Sequence, residues 1–149
     1  MIRIEQATLE HIPQMADLLA VLFSEEHEFR PDREKQMRAL RMIISAPERG
    51  NMFVATEEDR VVGMVSLLIT ISTAKGGTAC WLEDMVILPE HRGTGIGTKL
   101  LTHAVAYAKS QGFTRITLLT DRTSDKSIHF YERHGFQRSD MVPMRMHLG

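Results

Sequence analysis

The chain has 149 residues, of which 43% are hydrophobic, and a formal net charge of -1. This length suits one α/β domain with a sizeable core, and the near-neutral charge gives no electrostatic reason to expect nucleic acid or an anionic membrane as a partner. Because Cys80 is the only cysteine, and because neither an apolar signal segment nor a membrane-spanning run is present, we expect a cytoplasmic protein.

Alternating residues at the start of the chain predict a half-buried strand that contains Ile2 and Ile4. Thr8 is a suitable N-cap for a helix over residues 9–23. The apolar positions of that helix recur at helical spacing and predict a core-facing stripe. They are Ile12, Met15, Leu18, Leu19 and Leu22.

An acidic segment over residues 24–32 interrupts the pattern, and Asp32 is placed to cap a second helix over residues 33–45. The segment has two interpretations. It is either a solvated connection or the border of an acceptor pocket that attracts a cationic amine. The acidic residues concerned are Glu25, Glu26 and Glu28.

The middle of the chain predicts a hairpin, with strands over residues 52–56 and 61–71 around a polar turn. A flexible connection over residues 73–78 leads to a strand over residues 81–88. Cys80 is expected to be a small buried residue of this region, in preference to a reactive thiol.

A glycine-rich turn, R-G-T-G-I-G over residues 92–97, follows that strand and leads to a helix with Leu100 and Leu101 on its apolar face. Strand, glycine turn and helix form the layout of an anion site, because the N–H groups of the first helical turn lack partners within the helix. The spacing fits neither a nucleotide P-loop nor a dinucleotide fingerprint, which disfavours a nucleotide-binding protein. A glycine turn required only for packing is the simpler alternative.

Three further elements are predicted beyond this helix. Gly112 is placed to end it, and a strand over residues 115–120 and a short helix over residues 125–133 follow. Val142, Met144 and Met146 alternate with other residues, which predicts a last strand, with Pro143 favouring an edge or a bulge.

Two motifs resemble those of the GNAT superfamily of N-acetyltransferases. The first is R-x-x-G-x-G, formed by Arg92, Gly95 and Gly97, and the second is the segment from Ser124 to Phe136, S-D-K-S-I-H-F-Y-E-R-H-G-F. Residues 81–136 carry most of the likeness. It implies a single domain over residues 1–149, with a mixed, mostly antiparallel sheet of about seven strands, four flanking helices and a splay between two central parallel strands.

The resemblance also implies acetyl-CoA as co-substrate. Its pantetheine arm would follow the open strand edge, its pyrophosphate would lie over the glycine turn, and serines would replace the family's usual Asn and Ala at positions 124 and 127. The implied binding residues are Met85, Val86, Ile87, Arg92, Gly93, Thr94, Gly95, Ile96, Gly97, Thr98, Ser124 and Ser127.

Direct attack of a primary amine on the thioester is the implied reaction. Tyr131 would protonate the leaving thiolate, since a phenol is a competent donor; a half-buried aromatic is the alternative. Glu83 is expected to assist loss of the amine proton, with Asp84 second, because alternation places them on opposite faces of the strand. His27 and Glu28 are further possibilities for this role.

The acceptor is expected to be a small-molecule or peptide amine, and polyamines, aminosugars, aminoglycosides and protein lysines all stay open. The final segment is also similar to the glucosamine-phosphate branch of the family. A non-catalytic acyl-CoA-binding regulatory module is the alternative function, and similar domains often pair through their last strands as homodimers. No metal site is expected, and His91, His129 and His134 are interpreted as surface residues.

Overall fold

Five strands and four helices form in the computed structural model, which describes residues 1–26 and 28–149. The strands are β1 (Ile2–Gln6), β2 (Gly50–Glu57), β3 (Arg60–Ser72), β4 (Gly77–Ile87) and β5 (Ile116–Leu118). The helices are α1 (Ile12–Glu25), α2 (Arg33–Ile44), α3 (Ile96–Ser110) and α4 (Asp125–Arg133). Contacts divide the chain into two compact units, Met1–Leu118 and Leu119–Gly149. The predicted single domain over residues 1–149 stays a prediction.

The first unit contains one mixed sheet in the order β1-β2-β3-β4-β5. Strands β1 to β4 pair antiparallel, and β4 pairs parallel with β5, which forms one edge of the sheet. The predicted α/β class is therefore confirmed, but the expectation of about seven strands is not, and the parallel pair is not central. The described residues form five strands.

The predicted hairpin is confirmed and extends further than its β-rich runs. Its turn contains Glu58 and Asp59, with φ angles of 48° and 67°. Two successive residues in the left-handed region match the twist of a two-residue hairpin turn. The strands flanking this turn, β2 and β3, stay paired as far as Gly50 and Leu68.

Helices α1 and α2 cover one face of the sheet. The predicted stripe of α1 is confirmed as core, since Met15 and Leu18 are fully buried against a cluster that includes Met64 and Val86 of the sheet. The helix begins at Ile12, preceded by a 3₁₀ turn over Leu9–His11, later than the predicted start at residue 9. Asp32 caps α2 as predicted, since its carboxylate accepts a hydrogen bond from the Lys35 N–H.

The second unit contains α4 and the C-terminal segment. Helix α4 has the predicted bounds, and the Ser124 hydroxyl caps it by accepting from the Ser127 N–H. The predicted last strand is wrong, because residues 134–149 contain no strand. Val142, Met144 and Met146 are 72%, 93% and 81% exposed, so their alternation corresponds to no buried face, and Pro143 has no N–H for a ladder.

Candidate active site

Within the described residues of the first unit, strand β4 has no partner strand along one edge of its C-terminal half. Its parallel register with β5 ends at Leu82, opposite Leu118, whereas β4 continues to Ile87. On its other side β4 stays bound to β3, and the Leu88 N–H donates to the Val62 carbonyl at 2.9 Å. Within the first unit, residues 83–87 therefore have a strand partner on one side only, at the place where a splay is predicted.

A β-bulge interrupts β4 at Asp84. Ser66 of β3 pairs with Glu83, and Met64 pairs with Val86. These two pairs are two residues apart along β3 but three residues apart along β4, so β4 contains one extra residue. Asp84 takes up the extra residue with φ 52°, in the left-handed region that non-glycine residues adopt rarely. Such outliers cluster at functional sites.

The bulge changes which way the two acidic side chains point. Residues that pair across strands have side chains on the same face of the sheet. Glu83 pairs with Ser66 of β3, which pairs with Met52 of β2, so these three side chains share one face. Asp84 lines a cavity together with Met52. Both carboxylates therefore lie on the side of the sheet covered by α1 and α2, and the prediction of opposite faces is wrong.

Asp84 lies at a partly open cavity of about 280 Å³ between α1, α2 and the sheet. Burial and, after it, the negative charges of Glu83 and Glu26 together raise the pKa of Asp84 to about 7. This carboxyl therefore exchanges its proton near neutral pH, as a general base must. Glu83, by contrast, is exposed.

The glycine turn leads directly into α3. Gly93 and Gly95 have φ angles of 77° and 88°, and a Cβ added at either would meet no heavy atom within 4 Å. These glycines are thus required by backbone conformation and leave open space beside the chain. Gly97 differs, because it lies within the first turn of α3 and does not have positive φ.

The start of α3 supplies the donors for an anion. The first backbone hydrogen bond of the helix is donated by the Lys99 N–H to the Gly95 carbonyl, at 3.1 Å. Gly95 is the N-cap and has no side chain that could accept from the first turn. The N–H groups of Ile96, Gly97 and Thr98 therefore lack an intrahelical acceptor. The Thr94 hydroxyl donates to the His91 carbonyl at 2.6 Å, so it stabilises the turn itself.

Arg92 ties the glycine turn to two other elements. Its Nε donates to the Ile87 carbonyl at 3.0 Å, and its two terminal nitrogens donate to the carboxylate of Glu25 at 3.0 and 2.9 Å. These bonds lower the pKa of Glu25 and raise that of Arg92. Glu25 is therefore paired in a bidentate contact, and the prediction that it attracts an amine is not supported by its geometry.

The structure assigns no site role to the other described residues of the acidic segment. His27 lies outside the described residues. Glu26 affects Asp84 electrostatically, as described above, and both Glu26 and Glu28 have interaction partners of their own.

Tyr131 belongs to the second unit, where it packs against two aromatic rings. The ring centroids of Phe130 and Phe136 lie 5.2 and 5.7 Å from that of Tyr131, both in edge-to-face geometry. Burial raises the pKa of Tyr131 to about 12, so its phenol keeps its proton across the physiological range. The hydroxyl of Ser124 donates to that of Ser127 at 3.0 Å at the start of the same helix.

Cys80 is buried, as predicted, and burial raises its pKa to about 11. His129 is exposed, but His91 and His134 are partly buried, and the Nδ1 of His134 lies 2.7 Å from the Phe130 carbonyl.

Among the described residues no group of three His, Cys, Asp or Glu side chains is arranged to hold a metal ion. None of the described helices has the length and apolar character needed to cross a bilayer.

The comparison with known families decides what this arrangement of strand edge, glycine turn and helix represents. The profile of the acetyltransferase (GNAT) family matches residues 12–136. The chain belongs to this family. Glucosamine 6-phosphate N-acetyltransferase of Trypanosoma brucei brucei is 37% identical over 90 residues, which cover 60% of this chain and 58% of that protein. The match thus spans less than two thirds of the relative's length.

Solved GNAT-like structures share the whole fold. A possible acetyltransferase from Clostridium difficile 630 has a TM-score of 0.88 at 17% identity, covering 99% of this chain and 98% of the other. A predicted acetyltransferase from Clostridium acetobutylicum, solved with acetyl-CoA, has a TM-score of 0.78 at 19% identity, covering 97% and 96%. At these identities the likeness shows the fold alone.

Proposed function

We propose that this GNAT protein transfers the acetyl group of acetyl-CoA to a primary amine by direct attack of the amine on the thioester. One observation carries the proposal. The C-terminal half of β4 combines an unpaired edge, a bulged carboxyl with its pKa near neutrality, and a glycine turn whose helix N-terminus offers free donors. A non-catalytic acyl-CoA-binding module would not require such a carboxyl.

The coenzyme would be held mainly by the main chain. The pyrophosphate fits the turn from Arg92 to Gly97, where N–H groups and the helix dipole favour anions and where a Cβ added at Gly93 or Gly95 would meet no heavy atom of the described residues within 4 Å. Thr98 would add a hydroxyl at the start of α3. The side chain of Arg92 would act indirectly, because it holds Glu25 and β4 in place.

The pantetheine arm would follow the open edge of β4. The Leu88 N–H donates to β3, and in an antiparallel ladder the backbone groups of every second residue point to the same neighbouring strand. The backbone groups of Val86 therefore point toward β3, and those of Met85 and Ile87 point toward the open edge. The Ile87 carbonyl already accepts from Arg92, so Met85 offers the clearer donor. Its N–H would polarise the thioester carbonyl, a contribution on the order of 3 kcal/mol.

Asp84 is the better base of the two acidic residues. An ammonium group must lose its proton before it attacks, and a base whose pKa lies near 7 is ionised yet still basic at neutral pH. Glu83 is exposed and would serve mainly to hold the pKa of Asp84 up through its negative charge. This assignment reverses the order expected from the sequence.

Tyr131 keeps the role that the family motif implies, as donor to the departing thiolate. Its pKa of about 12 lies about 3.5 above that of an ordinary thiol near 8.5, so complete proton transfer would be uphill by about 5 kcal/mol. We therefore assign it a hydrogen bond to the negative charge that develops on sulfur: the amine proton passes to Asp84, and coenzyme A leaves as the thiolate while the phenol keeps its proton. Ser124 and Ser127 would contact the coenzyme through hydroxyls that now pair with each other.

Replacement of Tyr131 tests this role. Tyr131→Phe should lower kcat by roughly 10-fold or more while leaving the Kd of acetyl-CoA unchanged, because only the donor to the leaving group is lost. Steady-state kinetics and calorimetry measure the two quantities. Tyr107→Phe is the matched control, since Tyr107 packs on Phe53 in the first unit and should tolerate the change. Equal activity of the Tyr131 variant would assign the donor to another group.

The function itself is tested by transfer. Purified protein, acetyl-CoA and a panel of primary amines should yield free coenzyme A thiol and an N-acetylated product of matching mass. Tight acetyl-CoA binding without turnover on any amine would instead favour the regulatory module. Preferred binding of ATP or NAD would overturn the family-based assignment of the glycine turn.

A further inference from the structure

The cavity at Asp84 has a mostly apolar wall. Leu19 and Phe23 of α1, Leu40 and Ile43 of α2, and Met52 of β2 line it, together with Ala39. The polar lining consists of Asp84 and, on α2, Lys35 and Gln36. Leu19, Leu40 and Met52 are at most 3% exposed, so this wall belongs to the packed core and is fixed in shape.

The size of the cavity limits what it can enclose. A volume of about 280 Å³ has room for on the order of ten non-hydrogen atoms, taking about 30 Å³ for each water-sized group. An amine joined through a short chain to a phenyl or branched alkyl group has this size. A long polyamine or an aminoglycoside would leave most of its atoms outside the cavity.

The chemistry of the wall disfavours hydrophilic acceptors. A sugar hydroxyl placed against leucine, isoleucine and methionine side chains loses its hydrogen bonds to water and gains none. An apolar group placed there is removed from water at no such cost. Among the described residues that line the cavity, Asp84 alone is acidic, so an ammonium group would be oriented toward it.

We propose that the acceptor is a primary amine on a compact apolar body of about leucine or phenylalanine size, with its nitrogen at Asp84 and its body against Leu19, Phe23 and Met52. This proposal rests on the proposed function, whose acceptor class it specifies. Such chemistry occurs in free arylalkyl or alkyl amines and in the first residue of a peptide. The experiment separates these two sources.

Acceptor specificity is the primary test. Phenethylamine and 3-methylbutylamine should give kcat/KM values about 100-fold above those of ethanolamine, spermidine and glucosamine 6-phosphate, since each buried methylene contributes roughly fourfold. Short peptides beginning with Leu or Phe, compared with peptides beginning with Ser or Asp, show whether the amine is free or peptide-borne. Equal or better turnover of the hydrophilic amines would overturn the proposal.

A variant that fills the cavity provides the second arm. Ala39 lines the cavity from an exposed position of α2, so Ala39→Phe adds bulk there with little risk to folding. It should lower kcat/KM for phenethylamine at least 10-fold while the Kd of acetyl-CoA stays unchanged. Arg38→Phe is the matched control, because Arg38 is exposed on the same helix and does not line the cavity, and it should behave as the wild type.

Failure of the two proposals would look different. If acetyl-CoA binds but no amine is acetylated, the proposed function fails, and calorimetric titration with phenethylamine then tests the cavity directly. Binding to the wild type that is lost in Ala39→Phe supports an apolar amine site. No binding, or equal binding to both proteins, overturns it.

Discussion

Asp84→Asn should lower kcat for acetyl transfer by about 100-fold or more at pH 8, the lower end of what a general base contributes. Asparagine has nearly the same shape but cannot accept the amine proton at neutral pH. It also tolerates the left-handed backbone conformation at this position, where φ is 52°. The variant should therefore fold, and its defect should be chemical.

The pH profile identifies the group. With a pKa of about 7, the carboxyl of Asp84 is ionised and active above pH 7 and becomes protonated below it. The ratio of wild-type to variant kcat should thus be large above pH 7 and fall about tenfold per pH unit below it. Ionisation of the free amine affects both proteins alike and cancels in this ratio.

Asp84→Asn should raise the stability of the protein although it lowers kcat. A carboxyl whose pKa rises from 3.8 unfolded to about 7 folded costs stability as the pH increases between these values, because the unfolded chain releases the proton first. Asp84→Asn should therefore raise the free energy of unfolding at pH 8, by up to about 4 kcal/mol, and change it little at pH 3. Denaturant unfolding at the two pH values measures this.

Glu83→Gln is the control for the neighbouring carboxylate. This variant should keep most of the activity. The pH at which its kcat begins to fall on acidification should be lower than in the wild type, because the substitution removes a negative charge that raises the pKa of Asp84. A loss in Glu83→Gln as large as that in Asp84→Asn would restore Glu83 as the base. If kcat of Asp84→Asn fell below pH 7 in the same way as that of the wild type, Asp84 would be excluded as the general base.

Elements with local signals could be predicted from the sequence. Helix α4 has the predicted bounds because its limits are written in neighbouring residues: Ser124 caps the start, and Gly135, with φ 96°, lies beyond the end. Asp32 marks the start of α2 in the same way. The core stripe of α1 follows from its spacing, since a helix packed on a sheet must bury one face.

Features that depend on distant residues could not be predicted. The bulge at Asp84 adds one residue to β4 without altering its composition, so alternation assigned the acidic pair to opposite faces. The contact between Glu25 and Arg92 joins residues 67 positions apart, and no local pattern reveals it. The apolar lining of the cavity is likewise indistinguishable, in the sequence, from ordinary core positions of α1 and α2.

The C-terminal segment shows the limit of alternation as a signal. A period of two predicts a strand only where one face can be buried and a neighbouring strand supplies hydrogen bonds. Met144 and Met146 satisfy the pattern but lie exposed.

Gly97→Val should raise the Kd of acetyl-CoA by roughly 100-fold or more with little change in stability. The position is helical, so valine fits the backbone, and helix propensity favours it slightly over glycine. Its side chain would stand at the N-terminus of α3, where the pyrophosphate must approach the backbone closely. Two or more charge-assisted hydrogen bonds, each worth about 1.5–3 kcal/mol, would be lengthened or lost.

Gly95→Val should lose affinity to a similar degree and lose stability as well. Its φ of 88° costs a side-chain-bearing residue about 1–2 kcal/mol, although no protein atom obstructs the added Cβ. Gly112→Val is the matched control, because Gly112 has φ 75° and equally open surroundings at the other end of the same helix. It should show the loss of stability but bind acetyl-CoA with wild-type affinity.

Calorimetric titration and thermal unfolding of the three variants separate obstruction from strain. Gly97→Val isolates obstruction, Gly112→Val isolates strain, and Gly95→Val combines them. Thr94→Ala should have little effect on affinity, because the Thr94 hydroxyl donates to the His91 carbonyl and the anion is bound by backbone N–H groups. Wild-type affinity in Gly97→Val would mean that the glycine turn shapes the chain without holding the coenzyme, and the pyrophosphate would then have to be sought elsewhere.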